Sequence, residues 1–378
     1  MLKLVYRQLA CGKANTVITV LALAAAIAVI IILKGFEQGQ YLQLKNIVLN
    51  RGSDLVAVQK EVKNFIATRS VIPQLVRQKV DSAPGVKATH PITTLPIIYN
   101  KQGRQTPVYL IVFDSSGGPS NLLSGRVESE GNGIVLDQAL AKKYALKLGD
   151  PFIVSDFQFV ITGITREAAF MMPFAFITYD GVLDLFLESE IAPDLSVFPL
   201  LSFILIDVTD DKSIKSVRQA LEQKVPEIDV FSSEQLALND QELGKDFFGP
   251  IIGVLVFVGF ILMLMVIGLL MYANMARNQR NFSVLKALGF REKALVSYTV
   301  YYVVLLLLFA FPLSLCLALI ISSIIESIAP VYLFVVFDLL MLLKVSSLTL
   351  LFASIGSIIP FLILRKCDPV IALQSANT

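Results

Sequence analysis

Tryptophan is absent from this chain, histidine occurs once and cysteine three times. The lone His90 has no cysteine or second histidine beside it, so it cannot build a zinc site of the usual kind, and nothing places it for a serine triad. Its expected role is that of a satisfied surface or core side chain. No G-x-x-x-x-G-K-[ST] phosphate loop occurs. The segment "SSGGPS" at Ser115–Ser120 is a flexible turn lacking the Lys-Ser/Thr pair that cradles phosphates. ATP binding by that route is excluded, and no catalytic residue, metal ligand or bound cofactor is expected in this chain. The formal net charge of +2 gives no global basic field, which argues against nucleic acid as a partner.

Long uncharged runs are abundant instead: 55% of the residues are hydrophobic, and they are grouped in blocks. A hydrocarbon core of about 30 Å needs roughly 20 apolar residues of helix. Thr16–Leu33, Ile251–Tyr272, Ala294–Ile325 and Val345–Leu364 meet that need. The third is uncharged over about 48 Å of helix, so it must tilt, kink or protrude, with Pro312 as the place for a kink. A fifth run, Ile328–Leu343, is short and holds Asp338. Basic residues precede the first span (Lys3, Arg7, Lys13), separate the second and third (Arg277, Arg280, Lys286, Arg291, Lys293) and follow the last (Arg365, Lys366). Four spans put all three clusters on the cytoplasmic side, as the positive-inside bias requires; five would not. Ile328–Leu343 therefore reads as an outer-leaflet segment, and both termini as cytoplasmic. Cys11, Cys316 and Cys367 all fall in membrane or cytoplasm on this topology, so burial and hydrogen bonds, not disulfides, must hold the outer region.

The expected fold is a polytopic α-helical membrane protein with four transmembrane helices and a large extracytoplasmic α+β domain. Residues 1–34 form the N-terminus and first span, 35–249 the stalks and outer domain, and 250–378 three further spans. In the outer domain, Asp54–Lys60, Thr106–Asp114, Ser202–Val208 and Glu227–Phe231 read as strands. Val71, Leu75, Val76 and Val80 mark one helix face, and Ile214, Val217, Leu221 and Val225 another. This pattern predicts a ferredoxin-like split βαβ unit, with a separate β-rich subdomain inserted at about 120–190. Within the insert, "AAFMMPFAFITYD" supplies Phe170, Met171, Met172, Phe174 and Phe176. These form either core or a surface for a greasy cargo or partner, since Met and Phe suit adaptable apolar contacts.

One further segment stands out. "RNQRNFSVLKALGF" at Arg277–Phe290 brings Phe282, Leu285, Leu288 and Gly289 to one helical side, with Val284 and Ala287 adjoining and Arg280 and Lys286 at the rim. Such a helix either lies on lipid with its cations at the headgroups, or fills a groove on a soluble partner.

"VLKALG" within that segment resembles the cytoplasmic pattern of FtsX-like/MacB-type ABC transporter permeases, here closest in flavour to the DevC/HrtB-like branch. "RKCDPVIAL" is similar to the terminal segment of those permeases. "SGRVESEGNGIVLDQALAKKYALKLGDPFIV" is similar to the MacB-like periplasmic domain. Asn281 stands where the family carries an acidic residue. The resemblance implies that Arg277, Arg280, Phe282, Val284, Leu285, Lys286, Ala287, Leu288 and Gly289 form an ATPase-coupling helix. It implies two copies of a separate ABC ATPase using ATP and Mg, and a second permease copy, as a homodimer. A periplasmic adaptor and outer-membrane channel are further expected partners, beside the lipid bilayer of the bacterial inner membrane. The implied function is export of an amphiphile such as a lipid, a haem-like molecule or a peptide. The alternatives are a mechanotransmitter that activates a cell-wall hydrolase, and a lipoprotein-release permease.

Overall fold

The structure is a computed structural model that describes residues 13–364 except 67, 129–130, 155–156, 170, 183–199, 211–212, 278–291 and 329–334. In chain order the elements begin with α1 (Lys13–Leu49), β1 (Leu55–Gln59), β2 (Ile72–Pro73), α2 (Gln74–Asp81), β3 (Val86–Lys101), β4 (Arg104–Phe113), β5 (Leu122–Gly125) and β6 (Gly133–Asp137). Then come α3 (Gln138–Tyr144), β7 (Pro151–Val154), β8 (Phe157–Thr165), β9 (Ala168–Ala169), β10 (Met172–Thr178), β11 (Leu200–Leu201) and β12 (Phe203–Val208). The chain continues through α4 (Ile214–Lys224), β13 (Ile228–Ser232), α5 (Ser233–Arg277), α6 (Glu292–Ile328) and α7 (Leu339–Leu364). Two compact units result. One comprises 1–38, 249–324 and 335–378; the other comprises 39–248 and 325–334.

The first unit is helical. Among the described residues α1, α5, α6 and α7 are the helices long and apolar enough to cross a membrane. The last one departs from expectation, because α7 begins at Leu339 rather than Val345 and absorbs the end of the Ile328–Leu343 run. Val335–Asp338 explains the difference. It is non-helical, and the Val336 N–H donates to the Gly35 carbonyl of α1 at 3.0 Å. A methyl on Gly35 would lie 2.6 Å from Val335 Cγ1, so glycine permits this approach. Asp338 then supplies the carbonyl that accepts the Leu342 N–H, which opens the helix.

The outer unit is built on one 11-stranded sheet whose path runs β13-β1-β12-β3-β4-β10-β6-β8-β5. Its first four strands are mutually antiparallel. With α2 and α4 as the two crossovers they form the ferredoxin-like split βαβ unit. Period-2 alternation assigns their side chains: Leu55, Ala57, Ile204 and Ile206 join α2 and α4 on one face. Val56, Val58, Phe203 and Leu205 turn to the other face, against Leu44, Ile47 and Val48 of α1 and Leu236 and Ala237 of α5. On the helices themselves Val76, Val80, Val217 and Leu221 are buried, but Leu75 and Ile214 face outward. Each lies in the first turn of its helix.

The insert does not make a sheet of its own. β3 is long enough to pair with β12 over Val86–Ile92 and with β4 over Ile92–Lys101, so the insert's strands extend the same sheet. Pro91 and Pro96, which argue against a strand when read in sequence, each lie where β3 pairs on one side only; a missing N–H is tolerated there. The insert keeps a separate core around Tyr99, Leu110, Ile134, Tyr144, Phe152 and Phe159.

Candidate functional site

The expected coupling segment falls almost entirely outside the described residues. Arg277 is the last residue of α5, the helix resumes at Glu292, and Arg280, Phe282, Val284, Leu285, Lys286, Ala287, Leu288 and Gly289 lie between. The apolar stretch of the insert requires a correction. β10 is an interior strand, paired along its edges with β4 and β6, and its alternate side chains enter two buried clusters, Phe174 and Phe176 on one face and Ala175 and Ile177 on the other. Phe174 and Phe176 therefore sit in the core and form no cargo surface. Phe170 lies outside the described residues. Met171, at φ +63°, and Met172 are half-buried at the start of the strand.

A polar cleft of about 650 Å³ opens beside this core, and pattern reading did not find it. Its floor is a buried charge network. α1 ends at Leu49, and Arg51 turns its side chain back so that Nε donates to the Ile47 carbonyl at 3.0 Å. Nη1 donates to the carbonyls of Gly117 at 2.6 Å and Gly118 at 2.8 Å, and Nη2 to Glu167. The guanidinium also lies over the Phe176 ring, 4.9 Å from its centroid. Glu167 accepts from the N–H and hydroxyl of Ser120, and its own N–H donates to Asp137 at 2.8 Å. Asp137 caps α3 by accepting the Ala139 N–H at 2.7 Å. The sequence signals were present but slight: an Arg-Gly pair closing a helix, and an Asp before "QAL".

Burial pushes the Asp137 carboxyl up from 3.8 to about 7, against the hydrogen bonds that favour its charged form; the nearby Glu167 adds to the rise. Between about pH 4 and 7 the folded state thus holds a proton that the unfolded chain has released. This group's contribution to stability falls as pH rises through that window and is flat above it. Asp137→Asn keeps one acceptor and removes the titration. The melting temperature of the full-length chain in detergent is expected to lose part of its pH dependence between about pH 4 and 7, a few kcal/mol at most, the rest staying with Asp240, whose carboxyl burial also pushes up to about 7. An unchanged pH slope would contradict the assignment.

His90 sits on β3 opposite Leu205, with Nδ1 3.1 Å from Ser115 Oγ and Nε2 3.2 Å from Asp207 Oδ2. The three side-chain types match a hydrolase triad, but the ring is reversed: its Nδ1, not its Nε2, meets the serine. The contact to Asp207 is a bond between neighbouring strands. Helix α4 is preceded by Ser213 in the N-cap position.

Two sequence profiles match in tandem. The MacB-like periplasmic core domain covers residues 16–224, and the FtsX-like permease C-terminal domain covers 253–369. The chain belongs to the FtsX/MacB-type ABC transporter permeases. Members of this family are the membrane subunits of ABC transporters, associated with ABC ATPase partners and dimeric assembly. As in the family, this permease is a multi-pass membrane protein with a periplasmic domain. Among solved structures it is similar to the periplasmic region of MacB from Actinobacillus actinomycetemcomitans, at 14% identity and TM-score 0.35, over 50% of this chain and 92% of that one. It is also similar to the extracellular domain of the noncanonic ABC-type transporter YknZ from Gram-positive bacteria, at 12% identity and TM-score 0.34, over 48% and 100% of the two chains. No curated protein matches this permease in sequence.

Proposed function

We propose that this permease is the membrane subunit of an ABC exporter that moves an amphiphile, whether a lipid, a haem-like molecule or a peptide. A separate ATPase, present in two copies, binds ATP and Mg and docks on Arg277–Gly289 of each of two permease copies. This chain hydrolyses nothing and binds no cofactor itself. Movement at the coupling helix passes outward and rearranges the outer domain, which displaces cargo. The termini and the coupling helix are cytoplasmic on this reading, by the positive-inside bias. An adaptor and an outer-membrane channel complete the route.

The tandem order of the two matched domains carries the reading. Physical support comes from α1 and α5. Each is an unbroken helix, of 37 and 45 residues, whose outer turns contribute side chains to the core of the outer domain. Where they meet in that domain, a methyl on Gly244 of α5 would overlap Leu44 of α1, so the contact is tight. Packed cores shift between discrete arrangements instead of deforming continuously, so such helices are suited to passing on movement.

The test is affinity purification of the full-length chain from its native membrane, followed by reconstitution in liposomes. An ABC ATPase should co-purify in equal amount, and ATP should drive release of a labelled amphiphile. Absence of any ATP hydrolase from the intact complex would overturn the proposal. ATP hydrolysis with no release of any amphiphile would overturn its transport half.

A further inference from the structure

Helices α6 and α7 of the helical unit enclose a crevice of about 270 Å³. Val304, Leu307, Leu308, Phe311 and Pro312 line it from α6 and Leu350 from α7, so its walls are chiefly apolar. Both helices are long and apolar enough to cross a membrane. A purely apolar crevice in that setting would take any acyl chain, but two polar groups make this one selective.

The first is Thr349, which also lines the crevice. It is 1% exposed, and its Oγ1 meets no hydrogen-bond partner among the described residues. A hydroxyl inside a helix ordinarily donates to a carbonyl about one turn back. On α7 itself Ser347, Ser354 and Ser357 each do so, at 2.9, 2.7 and 2.8 Å. Thr349 departs from its neighbours at the one place where the crevice opens beside it. The second group follows from covalent chemistry. α6 runs on through Pro312, which has no N–H, so the Leu308 carbonyl loses its helical donor. Leu308 and Pro312 both line the crevice, which puts that carbonyl on the crevice side of α6. Within hydrocarbon no bulk water supplies the missing partner.

This pairing of a bare acceptor with a free hydroxyl discriminates among ligands. An alkyl chain satisfies neither group. An ester oxygen accepts from Thr349 and leaves Leu308 unmet. A carboxylate or an ammonium brings a charge, and the described lining holds no charged side chain to meet it. A hydroxyl satisfies both, donating to the Leu308 carbonyl and accepting from Thr349. One water would do the same, but its share of volume is about 30 Å³, a small part of this space, and the apolar walls favour a body attached to the hydroxyl.

We propose that the crevice between α6 and α7 binds a lipophilic alcohol dissolved in the membrane. Its hydroxyl sits between the Leu308 carbonyl and Thr349 Oγ1, and its apolar body fills the space beside Phe311 and Leu350. The alcohol is a resident ligand of the helical unit and not the cargo, so its binding does not depend on the export reading.

The experiment uses the full-length chain in phosphatidylcholine nanodiscs, photolabelled with the diazirine 3-azioctanol. Mass spectrometry then locates the modified residues. Label is expected to concentrate on 304–312 and 346–350, to saturate, and to be displaced by 1-octanol but not by octane. Thr349→Val keeps the side-chain shape without the hydroxyl, and Pro312→Ala returns an N–H to the Leu308 carbonyl. Each should weaken labelling about fivefold or more, the worth of one hydrogen bond. Thr349→Ser should retain it. Melting curves confirm that the variants fold, and Pro312→Ala, which removes a helix breaker, decides the matter if Thr349→Val does not fold. The proposal is overturned if label spreads evenly over the lipid-facing helix surfaces, if octane competes as well as octanol, or if either folded variant labels like the parent. Labelling that never saturates, as a notch filled by water alone would give, overturns it too.

Discussion

Arg51→Met is expected to lower the melting temperature of the outer domain more than any other single change at the cleft. The Arg51 side chain is 0% exposed and that of Glu167 2%. Burial lowers the Arg51 pKa while the Glu167 charge and hydrogen bond raise it, a balance that holds only while the pair is intact. Removing the guanidinium leaves the Glu167 carboxylate in the core with, among the described residues, only Ser120 to bond it, and leaves two glycine carbonyls without this donor. Breaking a buried ion pair from one side costs about 3–5 kcal/mol. For a domain of this size that is a fall of about 6–20 °C. The double variant Arg51→Met/Glu167→Met should be less destabilised than the sum of the two single changes, because it strands no buried charge. Thermal unfolding of the four species in detergent supplies the cycle. Strict additivity would show that the two side chains contribute separately, and would remove the network as the tie between the end of α1 and the insert.

That network also shows where sequence reading stops. Arg51 and Glu167 are 116 residues apart, and no local periodicity signals a bond over such a separation. Period-2 patterns such as "FILIDV" are self-sufficient, because alternation is imposed within one strand; β12 accordingly follows its expected span. β3 was illegible for the opposite reason. Its two prolines are tolerated because each half of the strand pairs on one side only, a property of the whole sheet. Phe174 and Phe176 turn on the same point. A run of Met and Phe is compatible with core or surface until what packs on the faces of β10 is known, and the buried cluster around Phe174 and Phe176 decides it. Of the candidate sites, the coupling segment is proposed from local amphipathicity and motif alone, and all of it but Arg277 lies outside the described residues. The cleft was not legible, because its walls come from distant parts of the chain.

The second large effect is expected in the proposed coupling segment. Leu285→Glu with Leu288→Glu should reduce stimulation of the partner ATPase to its unstimulated rate while the outer domain melts normally. If the helix fills a groove on the ATPase, its central apolar anchors carry the binding, and each is worth about 2 kcal/mol or more. Two charges placed there would weaken docking by about 10³-fold. Arg280→Gln, at the rim, should instead slow association and change its salt dependence with little loss at low salt, since rim cations steer an encounter more than they hold it. A helix resting on lipid gives a different pattern. Glutamates would lift it off the membrane, the rim variant would weaken binding to anionic bilayers, and ATPase stimulation would persist in both. Full stimulation in the double variant would therefore remove Arg277–Gly289 as the coupling element, and the transmission route would have to begin elsewhere in the chain.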